Sequence, residues 1–114
     1  MRVIITGSRT WADRDTIERV LRSLPSDTVI VHGAHWEGAD AIADEIASRI
    51  GLTVERHPAD WKRYGKVAGI HRNEEMAAAG AGRCIVFRAA GQSRGTDDMM
   101  ARAHAYGIPV NLHT

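Results

Sequence analysis

Several things are scarce in this chain of 114 residues, and each scarcity narrows what it can be. Cys84 is the one cysteine, so no internal disulfide can form, and a reducing compartment fits. Neither sign of charge is in excess: fifteen basic against fourteen acidic residues leave a formal +1. Such a balance gives no electrostatic footprint for duplex nucleic acid or for an anionic membrane. No apolar run approaches the roughly 20 residues that a membrane span needs. The opening MRVIITGSRT runs straight into a strand-like stretch with no charged leader and cleavable apolar region, so a cytoplasmic protein is expected. Internal repeats, linkers and low-complexity tracts are missing, and the length suits one domain, 1–114.

What is present is a regular alternation. Short apolar runs rich in branched residues occur at Val3-Ile4-Ile5, Thr28-Val29-Ile30-Val31, Leu52-Thr53-Val54, Cys84-Ile85-Val86-Phe87 and Ile108-Pro109-Val110. Several are apolar throughout, as strands covered on both faces are. Between them lie helical stripes: Ile17, Val20, Leu21 and Leu24, with Asp13 or Asp15 as cap; Ala39, Ile42, Ala43, Ile46 and Ile50, closed by Gly51; and Met99, Met100, Ala103 and Tyr106, closed by Gly107. A weaker helical segment, 66–79, is interrupted by Gly69. Strands alternating with helices predict βαβ units. The expected fold is α/β, a single Rossmann-like three-layer domain whose parallel five-stranded sheet has the order 3-2-1-4-5.

The loops are unequal. Helix-to-strand turns are short and plain, whereas the strand-to-helix loops read TGSRTW, HGAHWEGAD, HPADWKRYGK and RAAGQSRGTDD. In a parallel sheet these four share the carboxyl edge, and ligands bind there at the crevice where strand order reverses. Trp11, Trp36 and Trp61 all fall in these loops. They are base-stacking candidates, with core capping or a dimer interface as the plainer role.

Several chemistries can be weighed on this edge. Gly91-Gln92-Ser93-Arg94-Gly95 spells the nucleophile elbow of a serine hydrolase, but only about twenty residues follow, too few to present an acid and a histidine on later strands. No G-x-G-x-x-G follows the first strand, and Gly33 to Gly38 continues as Ala39-Asp40 where a P-loop has Lys and Ser or Thr. His32, His35, His57 and His71 are scattered loop and helix histidines without a zinc-like set, and no metal is expected. Anion binding by loop amides remains. Gly7, Gly33, Gly38, Gly91 and Gly95 let backbone approach a ligand, Ser8, Ser93 and Thr96 add hydroxyls, and Arg9 and Arg94 add planar forks. Asp97 and Asp98 oppose this by sitting in the first turn of the last helix, where they would repel phosphate unless turned away or bound to ribose hydroxyls.

Four ordered blocks, TGSR (6–9), HGAHWEGAD (32–40), ADWKRYGKVAGIHRNEEM (59–76) and GQSRGTDDM (91–99), resemble the SLOG superfamily of Rossmann-like domains, in its YspA-type branch. The resemblance implies a pocket for a nucleotide or nucleotide-derived molecule such as NAD, ADP-ribose or a nucleoside monophosphate. It implies ligand-binding roles for Gly7, Ser8, Arg9, Gly33, Gly38, Asp40, Asp60, Trp61, Arg72, Asn73, Ser93, Gly95 and Thr96, to which Arg94 is added from its guanidinium. The branch is common in bacteria, phages and mobile elements.

The related cytokinin-activating phosphoribohydrolases carry P-G-G-x-G-T-x-x-E, where this chain has Met99 in place of the catalytic glutamate. A mechanism of that type is therefore in doubt, and Asp40, Asp97 and Asp98 are the candidate catalytic carboxylates. The leading expectation is a sensor or carrier that requires no cofactor. The alternatives are a hydrolase of N-glycosidic or phosphate-ester bonds, and a single-strand DNA accessory protein, which the near-neutral charge disfavours. A homodimer is expected from the thinness of such domains.

Overall fold

The computed structural model describes all 114 residues. The chain runs β1 (Arg2–Gly7), α1 (Arg14–Arg22), β2 (Val29–His32), α2 (Ala39–Arg49), β3 (Thr53–Arg56), α3 (Trp61–Tyr64), a 3-10 turn (Gly65–Val67), α4 (Ala68–Ala78), β4 (Arg83–Phe87), α5 (Arg94–Ala105) and β5 (Val110–His113). All strand pairs are parallel, in the order β3-β2-β1-β4-β5.

Alternation of side chains along β1 divides the core into two halves. Val3 and Ile5 face α1 and α2, packing with Ile17, Leu21, Ala43 and Ile46. Ile4 faces the other way, toward Met76 and Ala77 of α4 and Met99 and Ala103 of α5. Both faces of the sheet are thus covered, which is why the central strands β1, β2 and β4 carry uninterrupted apolar runs. No helix is long and apolar enough to cross a membrane.

Three differences from the expected elements have local causes. The segment after β3 is not wholly loop: the Asp60 carboxylate accepts from the Arg63 N–H at 3.1 Å and caps the single turn of α3. The last strand begins at Val110 instead of Ile108. Pro109 has no N–H to give the ladder, though its carbonyl accepts from the Cys84 N–H at 2.8 Å, and Ile108 turns into the core. Gly69, expected to interrupt α4, sits in its first turn, where a glycine disturbs little.

Candidate functional site

Strand order reverses between β1 and β4, whose paired ends are Gly7 and Phe87. Ser8 fastens the two loops that leave them. Its N–H donates to the Phe87 carbonyl at 2.9 Å, and its Oγ accepts from the Ala89 N–H at 2.9 Å, which leaves the hydroxyl proton to give elsewhere. The Ser8 carbonyl accepts from the Ala39 N–H at 3.1 Å and so docks the start of α2 on the same loop. That approach is what Gly38 permits. Its φ is +75°, and a Cβ there would collide with the backbone of Ser8 and Arg9.

Together these elements enclose a cavity of about 380 Å³ at the carboxyl edge, within the range usual for small-molecule sites. It is bordered by Gly7, Ser8, Arg9, Gly33, Asp40, Arg72, Asn73, Ser93, Arg94, Gly95 and Thr96 among the residues singled out from the sequence. Thr6, Thr10, His35, Met76 and Gln92 join them and were not foreseen. Their signal was position alone: each lies within a few residues of a chosen one. Met76 is the one apolar side chain in the lining.

Gly38, Asp60 and Trp61 do not border the cavity. Gly38 shapes it from behind, as above. Asp60 is spent on capping α3, and Trp61 is exposed on that turn. The tryptophans separate further. Trp11 is a core residue, 5.5 Å from the Phe87 ring and donating through Nε1 to the Asp13 carbonyl at 2.9 Å, so as a stacking surface for a base it is withdrawn. Trp36 is 80% exposed and lies over His35, with ring centroids 6.0 Å apart.

The two acidic residues near the start of α5 are committed elsewhere. Asp97 turns to Arg88 in a two-pronged pair at 2.7 and 3.0 Å, which holds its carboxyl below the usual range. Asp98 accepts from Arg102 at 2.8 Å and from Asn73 Nδ2 at 3.0 Å. Neither borders the cavity, which corrects their candidacy as catalytic groups and removes the expected repulsion of an anion. Met99 points into the core, fully buried. The start of α5 has no side-chain cap, because the Ser93 hydroxyl bonds Thr96 Oγ1 at 2.7 Å instead. The N–H groups of Arg94, Gly95 and Thr96 are therefore without a protein partner beside the cavity, while that of Asp97 donates to the Ser93 carbonyl at 2.9 Å.

Arg72 and Asn73 hold the opposite wall. Asn73 is buried and fully used: Nδ2 donates to the Gly95 carbonyl at 3.1 Å and to Asp98, while Oδ1 accepts from Arg72 Nε at 2.9 Å. Arg72 Nη1 donates to the Gly33 carbonyl and, at 3.4 Å, to the His57 carbonyl. A Cβ at Gly33 would strike this guanidinium. Burial lowers the Arg72 pKa, opposed by Asp40 and Asp98. Arg9 and Arg94 form no ion pair with the protein.

Asp40 is the one carboxylate in the lining. Only 8% exposed, it accepts from the His35 N–H at 3.3 Å through Oδ2, while Oδ1 has no partner. Burial raises its pKa, with His32, the His35 N–H and Arg72 pulling the other way.

The histidines are tied to structure. His32 Nδ1 accepts from the Ala34 N–H at 2.9 Å, so its Nε2–H donates to Asp44 at 2.6 Å. This holds Ala34 at a φ of +58°, a left-handed conformation that costs a non-glycine residue roughly 1–2 kcal/mol. Arg56 in turn grips Asp44 at 2.6 and 3.0 Å. No three His, Cys, Asp or Glu side chains converge as a metal-holding group.

A model of the YspA, cpYpsA-related SLOG family matches residues 1–64. The chain belongs to that family. The match covers β1 to α3, and with them the loops that carry Ser8, Arg9 and Gly38 and the first turn of α2 with Asp40. Similarity also extends to the remainder. The chain is 45% identical over 118 residues to the Gene 61 protein of Mycobacterium phage D29, covering 96% of this chain and 93% of that protein. This family member therefore has a phage relative of nearly its own length.

Proposed function

We propose that the protein binds a nucleotide or nucleotide-derived ligand, such as NAD, ADP-ribose or a nucleoside monophosphate, at the carboxyl edge of its sheet, as a sensor or carrier. Family membership supports a nucleotide-related role. The observation that carries the ligand class is the cavity between β1 and β4, where the unpaired Arg9 and Arg94 meet the uncapped start of α5. Such a helix start offers N–H donors and a partial positive charge to phosphate. With the acids near that start paired to Arg88 and Arg102, the local field favours an anion.

We place the protein in the cytoplasm, in keeping with its single buried cysteine. The test of binding is calorimetric titration with AMP and ADP-ribose. Arg9→Ala and Thr96→Val are expected to weaken binding about tenfold or more, the scale of one charge-assisted hydrogen bond. Unchanged affinity in both would overturn the assigned pocket.

A second reading, hydrolysis of the ligand, is favoured by Asp40, a cavity carboxyl whose pKa burial raises, as a general acid or base requires. New product masses after incubation with ADP-ribose, lost in Asp40→Asn while binding persists, would support it. An intact nucleotide panel would dispose of it.

A further inference from the structure

A buried polar atom without a partner calls for an explanation, and Asp40 Oδ1 is such an atom at the wall of the cavity. Its other oxygen, Oδ2, holds only a single bond, from the His35 N–H at 3.3 Å, so the carboxyl keeps spare acceptor capacity on both oxygens. What donor would it take? A cationic group is disfavoured by the neighbouring guanidinium of Arg72, with Arg9 and Arg94 also in the lining. A metal ion would find one carboxylate here and no converging set. A neutral hydroxyl or N–H remains.

The character of the lining separates those two. A base buried in the cavity would need an apolar or aromatic face to lie against, and the lining offers only Met76 and the His35 imidazole, on which Trp36 already stacks. The other lining groups are mainly hydroxyls, glycines and arginines. The exposed tryptophans of this edge, Trp36 and Trp61, stand outside the lining, Trp36 over His35. The cavity is suited to the sugar and phosphate of a nucleotide, with the base toward the rim.

We propose that Asp40 accepts hydrogen bonds from the ribose hydroxyls of the bound nucleotide and so makes the site select ribonucleotides over their deoxy counterparts. The assignment rests on the nucleotide reading given above. Anion donors alone would hold any phosphate monoester, ribose or not. The carboxylate adds a demand for a donor, because binding a ligand without one leaves Asp40 Oδ1 unpaired and the group more deeply buried.

The experiment is calorimetric titration of the wild-type protein with AMP, 2′-deoxy-AMP and 3′-deoxy-AMP, repeated with Asp40→Asn. The expected result is binding of AMP about 10- to 100-fold tighter than of at least one deoxy analogue, the scale of a hydrogen bond to a charged acceptor. In Asp40→Asn the ratio should fall toward one while the phosphate contacts persist. AMP and both deoxy analogues binding equally to the wild type would overturn the role of Asp40 and leave the nucleotide reading standing. A strong ribose preference unchanged in Asp40→Asn would likewise overturn it. Failure of AMP and of ADP-ribose to bind at all would overturn the nucleotide reading, and this inference with it. The wild-type comparison needs no variant to fold.

Discussion

Replacing Asp40 with asparagine should stabilise the ligand-free protein near neutral pH. The shape is kept and the charge removed. In the wild type the carboxylate is only 8% exposed, with one oxygen unpartnered and the other on a single 3.3 Å bond. An unsatisfied buried polar group costs about 1–3 kcal/mol. Against this, a carboxylate in the first turn of α2 gains about 0.3–1 kcal/mol from the helix dipole, which the neutral side chain gives up. The raised pKa of Asp40 says that burial also outweighs the pull of His32, His35 and Arg72. Asparagine leaves a neutral N–H₂ in place of the charged oxygen, so about 1–2 kcal/mol of the cost is recovered.

At about 2.1 cal/mol/K per residue, the unfolding entropy of a chain this long is near 240 cal/mol/K, so each kcal/mol moves Tm by about 4 °C. A rise of about 4–8 °C is expected by differential scanning calorimetry. The effect must also depend on pH. Because the folded pKa lies above the unfolded value of about 3.9, the proton is held more tightly in the folded state. Stability is therefore lost as pH rises from the unfolded pKa through the folded one. The advantage of Asp40→Asn should be complete above that window and vanish below it, where wild-type Asp40 is protonated. A variant less stable than wild type at neutrality, or a gain that persists unchanged in acid, would refute the reasoning.

Other perturbations have equally definite outcomes. Asn73→Ala removes bonds to Gly95, Asp98 and Arg72, and should cost about 2–4 kcal/mol in urea unfolding while loosening the start of α5 enough to weaken nucleotide binding. Gly38→Ala forces a side chain into the backbone of Ser8 and Arg9 at a φ of +75°, so it should destabilise by more than about 1 kcal/mol, and a neutral effect would contradict the described docking of α2. Burial pushes the Cys84 thiol up to about 12, so the native protein should resist thiol reagents at pH 8 and react only on unfolding.

Much of the architecture was legible because its causes are local. Val3-Ile4-Ile5 and Cys84-Ile85-Val86-Phe87 are apolar on both faces, and that follows directly from helices lying on both sides of a parallel sheet. Unequal loop lengths then pointed to the carboxyl edge. What escaped were matters of partnership across the chain. Trp11 and Trp36 look alike as loop tryptophans, yet one meets Phe87 in the core and the other meets solvent. Asp97 and Asp98 look like obstacles to phosphate until Arg88 and Arg102 are seen to hold them. The tie between His32 and Asp44 spans 12 residues and carries no motif. Asp60 and Trp61 were drawn into the pocket by resemblance, whereas a capped single turn holds them apart from it.

The central claim is that the cavity between β1 and β4 holds a nucleotide by its phosphate and its ribose. Calorimetric titration of the wild-type protein with AMP beside 2′-deoxy-AMP and 3′-deoxy-AMP tests it most directly. Saturable binding of AMP, weaker binding of at least one deoxy analogue, and loss of affinity in Arg9→Ala are expected. Absence of heat with AMP and with ADP-ribose at millimolar concentration would contradict it.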